Sequence, residues 1–476
     1  MKRLFPPIAM LVILSLFFTA AVTWAEPYAF IPSYGNDRLV RIDTGTSTNN
    51  SVSVSLTDCD GPYGAAVAAG TSSIYVFVTC ENSDALAVVD ASSSSSMDMI
   101  TLLDDVDDGG DVDAPRGVTV DPAGDYVYVA NYGSNNIAYG RIDNSPSIDG
   151  VLDDDDADFN KPWGIVAIYD GSTSEEESTD VRKIYVTNNG NNKVAVITHT
   201  GSSTFEYDTV SGYDGVAPIG IAATPDGRYV YVANSGSNTV SVIRTSTDEQ
   251  VKKITVGNTP WGVAVGNMGD YVYVTNSLAN TVSIIDTQTN ALATQTTNPV
   301  TVGTTPYGIA APINGELVFA VNNAGAIPIH KIWPPISATA PTAIQNSNIQ
   351  TPYALGAFFG GIRPDAPSGL TATATDDDTV ELTWSDNSTN EEGFKIERRI
   401  QDEDEDESSA WVLIKLVGED KEDYTDYNLS SETTYEYRIC AYTEAADSEY
   451  NEVSGDDAVT TEESEDFSWC FIGSLF

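Results

Sequence analysis

Histidine is nearly missing from this chain. Only His199 and His330 occur in 476 residues, in strand-like stretches of different repeats. Chemistry that needs an imidazole base or a histidine-built metal cluster has little to draw on. No Ser-His-Asp order and no Gly-x-Ser-x-Gly elbow is present. Basic residues are scarce as well: 22 Lys and Arg stand against 70 Asp and Glu, a formal net charge of −48. That balance repels phosphate backbones and anionic headgroups, so nucleic acid and acidic membrane surfaces are excluded as electrostatic partners. Apolar periodicity of the helical kind is absent. Long apolar runs are limited to one, from Ile8 to Phe18, behind Lys2 and Arg3 and ahead of Thr23-Trp24-Ala25. This reads as a signal peptide over residues 1–25 rather than a transmembrane span. Export to the cell surface, the medium or the periplasm is the expectation. An oxidising compartment permits disulfides among Cys59, Cys80, Cys440 and Cys470.

What is abundant is repetition. Tyr229-Val-Tyr-Val-Ala-Asn234 and Tyr271-Val-Tyr-Val-Thr-Asn276 are each followed by a turn and a second alternating strand. Similar strand pairs start near Tyr28, Tyr75, Tyr126, Ile184 and Leu317. A second marker, Pro-x-Gly, precedes an apolar run at Pro62, Pro115, Pro162, Pro218, Pro260 and Pro306, with a degenerate copy at Pro352-Tyr-Ala354. Successive markers are 42 to 56 residues apart. Two-residue alternation signals strands with one face to a core, and this period suits a four-stranded blade. Gly-Ser-Asn and Gly-Asn-Asn turns supply positive φ. The first copy begins at its second strand and the last marker has no strand pair after it. A C-terminal strand that completes the first blade resolves this, and ring closure removes exposed sheet edges. The fold class expected is all-β, a seven-bladed β-propeller over residues 26–363.

These residues resemble the YVTN β-propeller family, through Tyr185-Val-Thr-Asn188 and Tyr273-Val-Thr-Asn276 above all. The resemblance runs from residue 28 to about residue 360 and weakens in blades one, two and seven, where Ser33 and Cys80 replace the strand-ending Asn. It implies a secreted or surface-layer-type protein, with distant similarity to lactonase-type and quinoprotein propellers. Nothing in the chain supports quinone chemistry.

After Pro364-Asp-Ala-Pro367 the pattern changes. Val380-Glu-Leu-Thr-Trp384, Gly393-Phe-Lys-Ile-Glu-Arg398 and Thr434-Tyr-Glu-Tyr-Arg-Ile-Cys-Ala441 resemble a fibronectin type III domain over residues 364–461. The resemblance makes Trp384 the core tryptophan and Tyr435 the corner tyrosine, with Leu429 beneath it. Such a module implies a spacer. Alternation that turns Tyr435, Tyr437 and Ile439 inward turns Cys440 outward, where it could bridge to Cys470. Residues 402–407 form an acidic run read as a solvated loop. The remaining 462–476 form an acidic tail ending in an apolar, Cys470-containing stretch, a candidate for surface attachment.

Candidate site residues follow from blade geometry, which puts the loops before each Pro and after each second strand at one end. Cys59 precedes Pro62 and Cys80 ends the adjacent strand, so a Cys59–Cys80 disulfide is expected. Asp104, Asp105, Asp107, Asp108, Asp111 and Asp113 precede Pro115, and Asp153, Asp154, Asp155, Asp156 and Asp158 precede Pro162. These runs occupy equivalent loops of consecutive blades, and hard oxygen ligands suit Ca²⁺, although the spacing is not that of an EF-hand. The x of Pro-x-Gly is Tyr63, Arg116, Trp163, Ile219, Trp261, Tyr307 and Tyr353. Packing between blades accounts for such a set; so does an aromatic collar at the channel mouth for a sugar or peptide. His199 is expected at an exposed strand end. The reading is an exported binding or adhesion protein for an extracellular protein or glycan. A cation-dependent lactonase-like hydrolase or lyase is one alternative, and a surface-layer or filament subunit is another.

Overall fold

The computed structural model describes residues 28–462 apart from 44–50, 70–72, 94, 105–111, 143–145, 154–158, 170–181, 201–203, 267–268, 295–297, 312–317, 326–327, 333–340, 345, 355–358, 361–362, 402–410, 444–446 and 455–457. Every regular element among the described residues is a β-strand. The expected signal peptide, the run at 402–407 and the tail from residue 463 lie outside them.

Residues 28–360 form seven antiparallel sheets. Five take four strands in chain order, such as Pro62–Ala69, Ile74–Cys80, Ala85–Asp90 and Asp98–Asp104, and the sheet that begins at Pro260 has a fifth, because Ala291–Leu292 and Val300–Thr301 both pair with Thr281–Asp286. The remaining sheet opens with a borrowed strand: Phe359–Gly360 pairs with Tyr28 and Ala29, beside Arg38–Asp43 and Ser51–Ser55. The closing pair therefore falls just beyond the expected 352–358 stretch. First strands pack side by side in a ring, from Pro62–Ala69 through Pro115–Val120, Pro162–Tyr169, Pro218–Ala223 and Pro260–Gly266 to Thr304–Ala310. The core lies between sheets. One cluster joins Phe30 and Leu39 to Val76 on one side and to Phe319 and Val321 on the other, so the last sheet packs on the first. Second-strand tyrosines Tyr128, Tyr185, Tyr231 and Tyr273 are fully buried, each removing roughly 150–250 Å² from water.

Five of the first strands begin at the proline itself and a sixth at Thr304, two residues ahead of Pro306; these carry a register shift there, as between Pro62 and Ala65 or Pro260 and Val263. Proline cannot donate to the ladder, and a bulge re-aims the residue inside it. The glycine that follows has a steric reason. A Cβ on Gly117, Gly164, Gly220 or Gly262 would stand 2.1 to 2.4 Å from the carbonyl oxygen of the x residue in the next sheet. Three of the second strands add a bridge across this contact. The hydroxyls of Thr79, Thr187 and Thr275 accept from the glycine N–H of their own sheet at 2.7–2.8 Å. They donate to the carbonyls of Arg116, Ile219 and Tyr307 in the next at 2.8–2.9 Å.

A second device repeats around the rim. The hairpin after each second strand ends on Asp37, Asp84, Asn135, Asn192, Asn238 or Asn280, all at positive φ. Each side chain accepts a hydrogen bond from the residue before the proline of the following sheet: Gly61, Ala114, Lys161, Ala217, Thr259 and Thr305, at 2.7 to 3.2 Å. Those acceptors' partners are themselves at positive φ. For a non-glycine residue this backbone costs about 1 kcal/mol or more, and Asn and Asp tolerate it best.

Residues 368–460 form two sheets, one of Ser368–Asp376, Thr379–Ser385 and Asp423–Tyr427, the other built around Gly393–Ile400 and Thr434–Tyr442. Trp384, Phe394 and Tyr437 fill the core between them. The Ser430 N–H donates to Tyr435 Oη at 3.0 Å, with Leu429 buried in the same core. Cys440 corrects the outward expectation: it is fully buried. Its strand does alternate, yet Tyr450 hydrogen-bonds the thiol and Asp447 and Lys395 crowd it, so the second face is covered too. Burial pushes the thiol well above its usual range, which makes it unreactive and unsuited to a bridge with Cys470.

The hairpin asparagine gives a graded test. Asn238→Ala keeps the strained backbone and orphans the Thr259 amide, at a cost of roughly 2–3 kcal/mol. Asn238→Gly relieves the backbone and should cost about 1 kcal/mol less. Asn238→Asp, the residue at equivalent positions 37 and 84, should stay within about 0.5 kcal/mol of the parent. Denaturant midpoints rank the three. Asp behaving like Ala would remove the latch from consideration.

Candidate functional site

The bulged prolines aim the x residues at one end of the channel, and there the side chains meet. Tyr63 stacks on Tyr353 with centroids 4.5 Å apart, and Tyr353 stacks on Tyr307 at 5.2 Å. Tyr307 lies 4.3 Å from Trp261, and Trp261 meets Trp163 edge-on at 5.6 Å. The last contact passes over Ile219, which is buried. Arg116 closes the circuit with its guanidinium 3.9 Å from the Trp163 ring and 5.7 Å from Tyr63. Six of the seven x side chains thus meet in one circuit, and Ile219 is buried. The rings spend much of their surface on one another, so inter-blade packing is part of their work. Tyr63 is buried, while Trp163, Trp261, Tyr307 and Tyr353 keep an edge in water.

Burial, above all, raises the phenols of Tyr63, Tyr307 and Tyr353, with Tyr353 and Glu81 adding to the effect on Tyr63 and Arg116 opposing it. These groups stay protonated at physiological pH. They can donate hydrogen bonds but cannot serve as bases.

Arg116 is the most elaborately held residue of the rim. Its Nε and Nη2 donate to Glu81 Oε1 at 2.9 and 2.7 Å, and its plane lies 3.6 Å from the Tyr132 ring. Nη1 makes no hydrogen bond. A guanidinium between two aromatic faces and paired to a carboxylate is fixed in orientation, and its unpaired Nη1 is shielded from solvent by the rings around it. Glu81 and Tyr132 were not among the expected site residues. Both follow the strand-ending position of their hairpins, as do Tyr34, which meets Tyr353 at 5.2 Å, and Asn189, which donates to the Pro218 carbonyl at 3.1 Å. Aligning the repeats one residue further would have found them.

Below the rim the axial cavity is lined by Gly117, Gly164, Gly262 and the aliphatic chains of Val118, Ile221 and Ile309, among others, and no titratable side chain among the described residues lines it. His199 corrects another expectation. It is fully buried, faces Tyr128 Oη at 2.6 Å through Nδ1 and stacks on Phe205 at 4.3 Å. Its strand, Lys193–Thr200, is eight residues long, which carries position 199 under the neighbouring sheet's Tyr126 and Tyr139.

Cys59 and Cys80 form a disulfide with Cα atoms 5.2 Å apart, next to Tyr34 and Asn82 on the same rim. Three residues of the acidic runs are described. Asp104 ends its strand, Asp113 is half-buried with its carboxyl raised by burial and by Asp84, and Asp153 is exposed. A Cβ on Gly133 would stand 2.3 Å from Asp113 Oδ1, so that turn packs directly against the Asp113 carboxylate. Asp105, Asp107, Asp108, Asp111, Asp154, Asp155, Asp156 and Asp158 lie outside the described residues.

Comparison with known proteins fits this architecture. Residues 365–455 match the family model of the fibronectin type III domain, and residues 179–337 match that of the cytochrome D1 heme domain. No curated protein matches the chain. The periplasmic gluconolactonase of Pseudomonas aeruginosa is similar in structure, with a TM-score of 0.51 and 15% identity over 69% of this chain and 98% of that one. The virginiamycin B lyase of Staphylococcus aureus gives 0.45 and 17% over 70% and 94%, and the hydrazine synthase of Kuenenia stuttgartiensis 0.45 and 17% over 68% and 97%. At such identities the likeness is one of fold. A haem does not fit what is present: within 179–337 the two histidines sit inside separate sheets, His330 with its Nδ1 2.9 Å from Asn322 Nδ2, and the axial cavity offers only glycine and aliphatic side chains. The chain thus joins an all-β propeller to a fibronectin type III domain, and among the described residues no helix is long and apolar enough to cross a membrane.

The disulfide closes a loop of 21 residues, which the chain-entropy view makes worth about 3 kcal/mol. A Cys59→Ser/Cys80→Ser double variant should lower the propeller's denaturation midpoint accordingly. Intact-mass measurement of the parent under alkylation should show no label at either position.

Proposed function

We propose that this is an exported binding protein that uses the aromatic rim to recognise an extracellular glycan or protein, with the fibronectin type III domain as spacer. The observation that carries this reading is the rim itself, where Trp163, Trp261, Tyr307 and Tyr353 each keep an edge in water around Arg116, which is stacked between Tyr132 and Trp163 and paired to Glu81. Ring edges, phenolic hydroxyls and a guanidinium are what a sugar's hydroxyls or a peptide's carbonyls ask of a surface. Ca²⁺ held by the acidic runs of the same rim belongs to this proposal and would add a bridge to an acidic glycan.

The domain arrangement supports the spacer role. Arg363, at the start of the linker, donates to the carbonyls of Ala123 and Pro122 at 3.4 and 3.5 Å. Those two residues belong to a turn joining a first to a second strand, the end of the sheet opposite the rim. The second domain therefore leaves the rim uncovered. Export, attachment through the tail and the absence of nucleic-acid partners remain parts of the same proposal, carried by residues 1–25, by Cys470 and by the charge of −48.

A second reading is a hydrolase or lyase. It is favoured by the names of two structural relatives, a gluconolactonase and a lyase, which share only the fold. Its site would have to lie on the rim, since the axial cavity is lined without a titratable group.

An array of glycans and matrix polymers probed with the labelled mature protein in Ca²⁺ tests both. Specific binding should fall at least tenfold in Trp261→Ala and in Arg116→Lys, since a lysine cannot stack between two rings. Binding unchanged in both variants would move recognition off the rim. Lactone or polysaccharide turnover by the parent would replace the binding reading with the enzymatic one.

A further inference from the structure

The sandwich domain gathers three carboxylates that no sequence motif announces. Asp386 and Glu391 sit in the loop between Thr379–Ser385 and Gly393–Ile400, and Asp420 sits in the turn after Val412–Gly418. One oxygen from each lies within 4.8 Å of the others. Two ligands on a sphere of Ca–O radius roughly 2.4 Å can be at most about 4.8 Å apart, so the spacing fits a shared cation. A cluster of acids alone would mean little on so acidic a protein. Glu391 makes this one different.

Glu391 is 4% exposed. Its Oε1 receives only a long hydrogen bond from the Asp420 N–H at 3.5 Å, and its buried Oε2 has no hydrogen-bond partner. No ion pair among the described residues reaches any of the three carboxylates. Burying a carboxylate oxygen without a donor or a counter-charge is costly. The surroundings add to the cost, because Glu422 also stands close, its Oε1 accepting from the Asp386 N–H at 3.2 Å. Burial, together with Glu391, Asp420 and Glu422, raises the Asp386 carboxyl.

From this convergence we infer that Asp386, Glu391 and Asp420 bind a divalent cation, and that the cation is Ca²⁺. The donors are all carboxylate oxygens on loops, with no sulfur or imidazole for Zn²⁺. An irregular set completed by backbone carbonyls and water suits Ca²⁺, whereas Mg²⁺ demands a near-octahedral arrangement.

The site's position suggests its effect. Asn387, next to Asp386, donates through Nδ2 to the Ala366 carbonyl at 2.8 Å and to Ser368 Oγ at 3.0 Å. The same loop thus grips the linker that leads to the propeller. Arg363 fixes the linker's other end, donating to the Asp447 carbonyl at 2.7 Å and pairing with Glu449 at 2.8 Å. A cation that orders the loop orders the joint between the domains. This inference is independent of what the rim binds.

Terbium luminescence on the mature full-length chain, in about 0.15 M salt to screen diffuse binding, measures the site. Trp384, two residues from Asp386, is placed to sensitise the ion. Displacement by Ca²⁺ should be far more effective than by Mg²⁺. Glu391→Gln and the exposed Asp420→Asn should each weaken this binding at least tenfold, while Glu381→Gln with Glu452→Gln, exposed carboxylates elsewhere on the domain, leaves it intact. Hydrogen exchange should show Ca²⁺-dependent protection of residues 384–393, lost in Asp420→Asn. Proteolysis within 364–367 should slow in Ca²⁺. Titrations of Glu391→Gln and Asp420→Asn that superpose on the parent, with no local protection, would overturn the site. Local protection without slower linker cleavage would overturn its role at the joint.

Discussion

The ring depends on a hydrogen bond between neighbours that each sheet cannot make alone. An Asx side chain held at positive φ in one hairpin satisfies the amide of a residue, itself at positive φ, that precedes the next sheet's proline. Six such bonds run from Asp37 to Asn280. Each is worth about 1 kcal/mol in isolation. Its larger effect is geometric, because it sets where the next first strand starts. The far ends are tied similarly: Tyr185 Oη donates to Asp248, and Tyr231 Oη donates to Asn290 at 2.5 Å, each acceptor lying in the next sheet. Sheets pinned at both ends have little freedom left to slide, and the apolar surface between them packs in one way.

Placement of the aromatic rim follows from that register. With the proline fixed, the bulge behind it turns x towards the axis, and the glycine after x lets the neighbouring carbonyl approach. The threonine bridge reinforces this in every second sheet, at Thr79, Thr187 and Thr275. The sheets between carry Ala130 and Ala233 at the same position, and no hydroxyl is available there. Tyr-Val-Thr-Asn and Tyr-Val-Tyr-Val-Ala-Asn are thus two versions of one junction, with and without the bridge.

Much of this was legible in the chain. Pro-x-Gly and the alternating pairs located every sheet because each residue in them has one local job. The borrowed closing strand followed from counting, and Cys59–Cys80 from antiparallel neighbours. What stayed hidden depends on contacts between elements far apart in sequence. Alternation assigns Cys440 to the outer face correctly but cannot say that residues 447–450 cover it. His199 looks terminal because the other third strands are mostly six residues long, and its own is eight. Arg116 interrupts the aromatic series, and its pairing to Glu81 and Tyr132 arises only when adjacent hairpins meet. Asp386, Glu391 and Asp420 have no shared spacing; two loops of the sandwich bring them together.

The same packing that builds the channel argues against chemistry inside it. Any side chain in place of Gly164 or Gly262 collides with a backbone carbonyl 2.2 to 2.4 Å away. The aliphatic residues beside them, Ile165 and Ile309, are buried against neighbouring sheets. A charged or catalytic group there would lose hydration and find few partners, at a cost of several kcal/mol. On the rim the cost is small, since water reaches an edge of Trp163, Trp261, Tyr307 and Tyr353. Arg116 illustrates the point: a full charge is accommodated at an x position because Glu81 neutralises it and two rings shield it, none of which the axial wall could supply. The proposed recognition surface is therefore made of the x residues and the residues that follow the strand-ending positions, such as Glu81 and Tyr132, with the glycines beneath them holding the shape.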